Sequence, residues 1–147
     1  MRRVYLDTCC FNRPFDDQEQ LRVRLESRAI LIVVESVLRG DCALIGSDAI
    51  DAELAAIRDP KRRRRVMKLA RAATEHVSID AGGSRRQQLL EGMGFGVYDS
   101  VHIACAEAAG ADVLLTTDDA LIRRARRLQH QLAVRVANPV SWLEEIG

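Results

Sequence analysis

The stretch Val113-Leu114-Leu115-Thr116-Thr117-Asp118 decides how the chain is read: an unbroken apolar run, two threonines, then an acid. A short apolar run without alternation is the mark of a strand buried on both faces. Working outward, the same kind of run recurs. Val4-Tyr5-Leu6 stops at Asp7, Cys42 to Ile45 leads to Ser47, and His76 to Ile79 and Val134 to Val136 complete the set. Between these runs lie helical patterns. They cover about Gln18 to Leu38, Ser47 to Ile57, Pro60 to Thr74, Gly82 to Leu90, Tyr98 to Ala109 and Asp118 to Gln129, with a terminal turn or helix at Ser141 to Ile146. Strands alternating with helices predict an α/β fold: an open, mostly parallel sheet of about five strands with helices on both faces. The length of 147 residues suits a single domain over 1–147.

Three local readings accompany this one. Asn12-Arg13-Pro14 reads as part of a polar loop, and Gly92 to Gly96 as a flexible turn. The long helix is amphipathic on Leu21 and Leu25 in its first half. Its second half, Ala29 to Leu38, is so apolar that burial on most sides is expected, in the core or a subunit interface.

The longest apolar run, Ala29 to Val34, is far short of the ~20 residues that cross a bilayer. Asp7 follows Met1-Arg2-Arg3 too soon for the apolar core of a signal peptide, so a cytoplasmic protein is expected, with no membrane partner. The thiols Cys9, Cys10, Cys42 and Cys105 lie in or beside apolar segments without a Cys-x-x-Cys pair. They read as small buried hydrophobes rather than a zinc site.

Acids stand at matching places along the strands. Asp7 ends the first strand, Glu53 lies in the helix after the second, Asp99 opens the helix before the fourth, and Asp118 follows the fourth with Asp119 beside it. Each one alone could be a helix cap or a solvated carboxylate. Together, at the carboxyl ends of parallel strands, they form a cluster of like charges that a cation would stabilise. Hard oxygen donors suit Mg²⁺ or Mn²⁺, which points to metal-assisted phosphodiester hydrolysis.

Four segments, Val4-Tyr5-Leu6-Asp7-Thr8, Ser47 to Leu54, Tyr98-Asp99-Ser100-Val101-His102-Ile103-Ala104 and Leu114-Leu115-Thr116-Thr117-Asp118, resemble the motifs of the PIN domain family in order and interval. The resemblance implies a metal-dependent ribonuclease, and for a chain of this length a VapC-like toxin of a type II toxin–antitoxin pair. It implies that Asp7, Glu53, Asp99 and Asp118 hold the Mg²⁺ or Mn²⁺ and carry catalysis. Thr116 supports them, with Asp119 a weaker neighbour. It further implies RNA products with 5′-phosphate and 3′-hydroxyl ends, a homodimer and an inhibiting antitoxin. After Asp7 the chain departs from the common toxin pattern: Cys9 to Asp17 replaces the usual short serine-containing turn. His102, three residues after Asp99, is expected to bond it as a structural histidine.

The net charge of +1 hides a segregation. Arg58 to Arg71 carries eight basic side chains against Asp59 alone, and Arg123, Arg124, Arg126 and Arg127 form a second group. Such runs are usually solvated faces. Here Arg62, Arg63, Arg64 and Arg65 are also candidates for an RNA phosphate track. The competing reading is a non-catalytic PIN-like module for RNA binding or protein interaction; a phosphate-accepting regulator lacks the required Asp-x-Asp or late lysine.

Overall fold

The computed structural model describes residues 1–147. Five strands form one sheet: β1 (Arg2–Leu6), β2 (Cys42–Ser47), β3 (Glu75–Val77), β4 (Val113–Leu115) and β5 (Arg135–Ala137). Their order is β3-β2-β1-β4-β5, and every neighbouring pair is parallel. The sheet is thus wholly parallel rather than mostly so. Eight helices connect or flank the strands: α1 (Thr8–Asn12), α2 (Leu21–Leu38), α3 (Asp48–Ala55), α4 (Pro60–Ala70), α5 (Ala81–Gly92), α6 (Val97–Ala108), α7 (Asp119–Arg127) and α8 (Pro139–Ile146). Nothing in the chain is long and apolar enough as a helix to cross a membrane.

The first strand made is the central one. Val4, Tyr5 and Leu6 are solvent-free, as are Leu44, Ile45, Leu114 and Leu115 on its neighbours. Leu114→Ala would leave a void in this core and is expected to cost about 3 kcal/mol. For a domain of this size that lowers Tm by roughly 6–12 °C, readable by thermal denaturation.

Two expectations are corrected here. The polar loop after Asp7 is instead helix α1 followed by a 3-10 turn at Arg13–Phe15. Asp7 caps α1 by accepting from Thr8 N, while Cys10 and Phe11 are buried, so the cap and an apolar face outweigh the turn residues. The facing of α2 also differs. Leu21 and Leu25 are exposed, while Glu26 and Ser27 are buried. Farther along, Ile30, Val33 and Val37 enter the core while Leu31, Ile32 and Leu38 face outward from this chain, so the core itself covers one face. Tertiary partners of Glu26, described below, override the local pattern.

The turn Gly92–Gly96 is tighter than a flexible loop. Gly94 has φ +100°, a left-handed conformation that favours glycine; a Cβ there would also displace the tip of Arg124, 2.5 Å away.

Candidate active site

In a parallel sheet, the ends of β1, β2 and β4 open on one edge, where strand order reverses about β1. Asp7 leaves the end of β1, and its backbone N–H still bonds Leu115 O at 2.9 Å. Its carboxylate is held on both oxygens. Oδ1 accepts from Thr8 N at 2.8 Å; Oδ2 accepts from Thr116 Oγ1 at 2.8 Å and from Cys9 Sγ at 3.4 Å. Thr116, the donor of the first of these Oδ2 bonds, stands just beyond β4. Asp118 is bound to the same hydroxyl through its N–H at 3.2 Å, and its Oδ1 caps α7 by accepting from Ala120 N and Leu121 N.

Glu53 comes from α3, whose start is fixed by Ser47 accepting from Ile50 N. Its carboxylate is bonded to His102 Nε2, which also stands 3.8 Å from Asp7 Oδ1. His102 Nδ1 meets Tyr5 Oη at 2.7 Å, and Tyr5 Oη meets Ser47 Oγ at 2.7 Å. A carboxylate can only accept, so Nε2 carries a hydrogen toward Glu53. His102 therefore bonds Glu53 and Tyr5 rather than Asp99, its expected partner.

The charges feel one another. Burial, and then the charges of Asp7 and Asp118, push the Asp99 carboxyl up to about 6, with Glu53 adding to the rise. Burial works against the charged form of Glu53, but the hydrogen bond and charge of His102 bring its carboxyl below the usual range. Burial would lower His102, yet the Glu53 hydrogen bond and the charge of Asp7 raise it overall.

The donor set can be tested against a metal. The acids offer hard oxygens, burial and then the charges of Asp7 and Asp118 disfavour Asp99 as an anion, and the buried Thr8 hydroxyl, which makes no well-formed hydrogen bond, lies toward Glu53. Gathered hard oxygens whose charges repel one another suit a divalent cation. The carboxylates are not drawn into a closed cage. The set of three ligand atoms mutually within 4.8 Å is Asp48, Asp51 and His76, an exposed group on α3 and β3.

Other expected residues lie elsewhere. Asp119 turns away from the acids and pairs with Arg22, whose hydrogen bonds hold its carboxyl low. Arg62 is engaged by Asn12, Phe15 O and Asp16, and Arg63 by Ile57 O. Arg62 pins α4 onto the segment after Asp7 and Arg63 bonds the turn before the helix, while Arg64 and Arg65 are exposed. Cys9 is more than a buried hydrophobe, because its thiol touches Asp7 and Thr116. The other three thiols are buried and unpaired. Sequence reasoning missed Arg22, Glu26 and Asn138; no local pattern marks them, since their partners come from distant segments.

A family model described as PIN domain matches residues 4–127. Among solved structures, the fold is similar to VapBC2 from Rickettsia felis, which was crystallised bound to a DNA fragment from their promoter. The TM-score is 0.61 at 12% identity, over 92% of this chain and 98% of that one. No curated protein matches.

Proposed function

The chain belongs to the PIN domain family, and from that premise we propose that it is a divalent-metal-dependent endoribonuclease. The observation that carries the reading is the meeting of acids from separate elements: Asp7 and Asp118 share Thr116 Oγ1, Glu53 and Asp7 face the same His102 Nε2, and Asp99 feels the charge of all three. A surface built only to bind RNA gains nothing from gathered anions, which is why catalysis is favoured over a binding module.

In this reading Asp7, Glu53, Asp99 and Asp118 would hold Mg²⁺ or Mn²⁺. When bound, such an ion activates water and stabilises negative charge on the phosphate in an in-line displacement. The chain's own residues set up the site. Thr116 and the Thr8 N–H orient Asp7, and the Ser47–Tyr5–His102 series fixes the face of Glu53. Arg64 and Arg65 stand free to meet the RNA backbone by sequence-independent contacts. A toxin role, with an antitoxin that blocks the acidic edge and a homodimeric state, belongs to the same reading.

The test is direct. A single-stranded RNA should be cut in Mg²⁺ or Mn²⁺, leaving 5′-phosphate and 3′-hydroxyl ends, and should survive in excess chelator. Cleavage that persists in chelator, or a purified chain inert on RNA in both metals, would remove the proposal. Light scattering of the full chain reads the dimer.

A further inference from the structure

Behind the acidic edge runs a second group of charges that the proposed reaction does not use. Glu26, on the inner side of α2, is only 2% exposed. Its Oε1 faces Arg13 Nε at 3.0 Å, while Oε2 accepts from Arg22 Nε at 3.1 Å and from Asn138 Nδ2 at 2.6 Å. A buried anion is tolerated only where partners hold it from several sides, so this end of Arg22 is anchored. The other end grips the turn after β4. Nη1 donates to Asp119 Oδ2 at 2.7 Å, and Nη2 donates to Asp119 Oδ1 at 2.8 Å and to Thr117 O at 3.0 Å. Arg22 therefore holds the residue before and the residue after Asp118.

We propose that Arg22 is a positioning residue for the metal site, placing the Asp118 carboxylate against Asp7 by clamping Thr117 and Asp119 to the buried anchor Glu26. The inference rests on the metal reading above. Asp118 shares Thr116 Oγ1 with Asp7, so a shift of the 116–119 turn disturbs both acids at once. The grip depends on a planar fork that meets a carboxylate with two parallel bonds while reaching a carbonyl. Lysine offers one compact charge and cannot make those contacts together. Groups that orient metal ligands from outside typically account for roughly 10–100-fold in affinity.

The experiment is Mn²⁺ titration calorimetry on the full chain, its Arg22→Ala variant and its Arg22→Lys variant, with binding of a labelled single-stranded RNA in chelator measured alongside. Arg22→Ala should bind Mn²⁺ about tenfold more weakly, and Arg22→Lys should recover little of the loss. RNA affinity in chelator should stay within twofold. Mn²⁺ affinity within twofold of the parent overturns the inference, whether RNA binding weakens, which would make Arg22 a phosphate contact, or only Tm falls, which would make it scaffold. Should Arg22→Ala fail to fold, Asp119→Asn breaks the same pair from its exposed end. It should weaken Mn²⁺ binding several-fold, and unchanged affinity there also overturns the proposal. A parent chain that takes up no Mn²⁺ defeats the metal reading and this inference together; a parent that binds normally beside unaffected variants defeats this inference alone.

Discussion

Asp7→Asn is expected to lower metal-dependent RNA cleavage by roughly 10²–10³-fold, the usual effect of deleting one electrostatic group from a catalytic site. The substitution keeps an oxygen for the Thr116 hydroxyl or the Thr8 N–H, so most of the local hydrogen bonding is retained. What it removes is the negative charge at the end of the central strand. Circular dichroism and Tm should match those of the parent to within a few degrees, while initial rates on RNA collapse. Undiminished cleavage by a folded variant would show that the acidic edge is not the catalytic centre.

Asp99→Asn should show function and stability moving in opposite directions. Cleavage and Mn²⁺ binding should both be lost, yet in chelator the variant should be more stable than the parent. The cause is burial together with repulsion from Asp7 and Asp118, which lift the carboxyl from 3.8 to about 6. Because the side chain is partly open to solvent, that shift is worth about 1 kcal/mol after screening. Since the folded-state value lies above the unfolded one, this carboxyl favours folding most below about pH 4, and the benefit disappears as pH rises through 6. Asparagine does not titrate. The gap in Tm between variant and parent should therefore open between pH 4 and 6 and stay constant above, as thermal denaturation across that range would reveal. A variant less stable than the parent at pH 7 in chelator would contradict the assigned repulsion. Active sites commonly carry this exchange of stability for function.

Much of the framework was legible because it is written locally. The strands around Val4–Leu6, Cys42–Ile45 and Val113–Leu115 show as apolar runs, and the acids at their ends follow from where those runs stop. The parallel sheet then follows from the intervening helices. Features that depend on remote partners were hidden. Leu21 and Leu25 suggest the buried face of α2, but Glu26 is what turns inward, because Arg13 and Asn138 receive it there. Helix α1 is too short to display a helical period, and only the cap by Asp7 and the burial of Phe11 define it. Glu53 and His102 meet across 49 residues, so the sequence motif around Asp99 could not reveal which acid the histidine serves. Arg62 shows the same limit in reverse: a basic run looks uniformly solvated until one member is found bound to Asn12 and Asp16.

The central place of β1 also governs when the site can exist during synthesis. Asp7 leaves the ribosome well before the Thr116 hydroxyl that orients it, which lies 109 residues later. Strands β1 and β2 can pair while the rest is still being made, whereas the β1–β4 seam must wait for the C-terminal part of the chain. Such long-range pairing slows folding compared with local contacts. A nascent or prematurely ended chain holds Asp7, Glu53 and even Asp99 without the turn that brings in Asp118. On the proposed reading such a chain is inert, and hydrolytic capacity switches on only after residue 118 has been made.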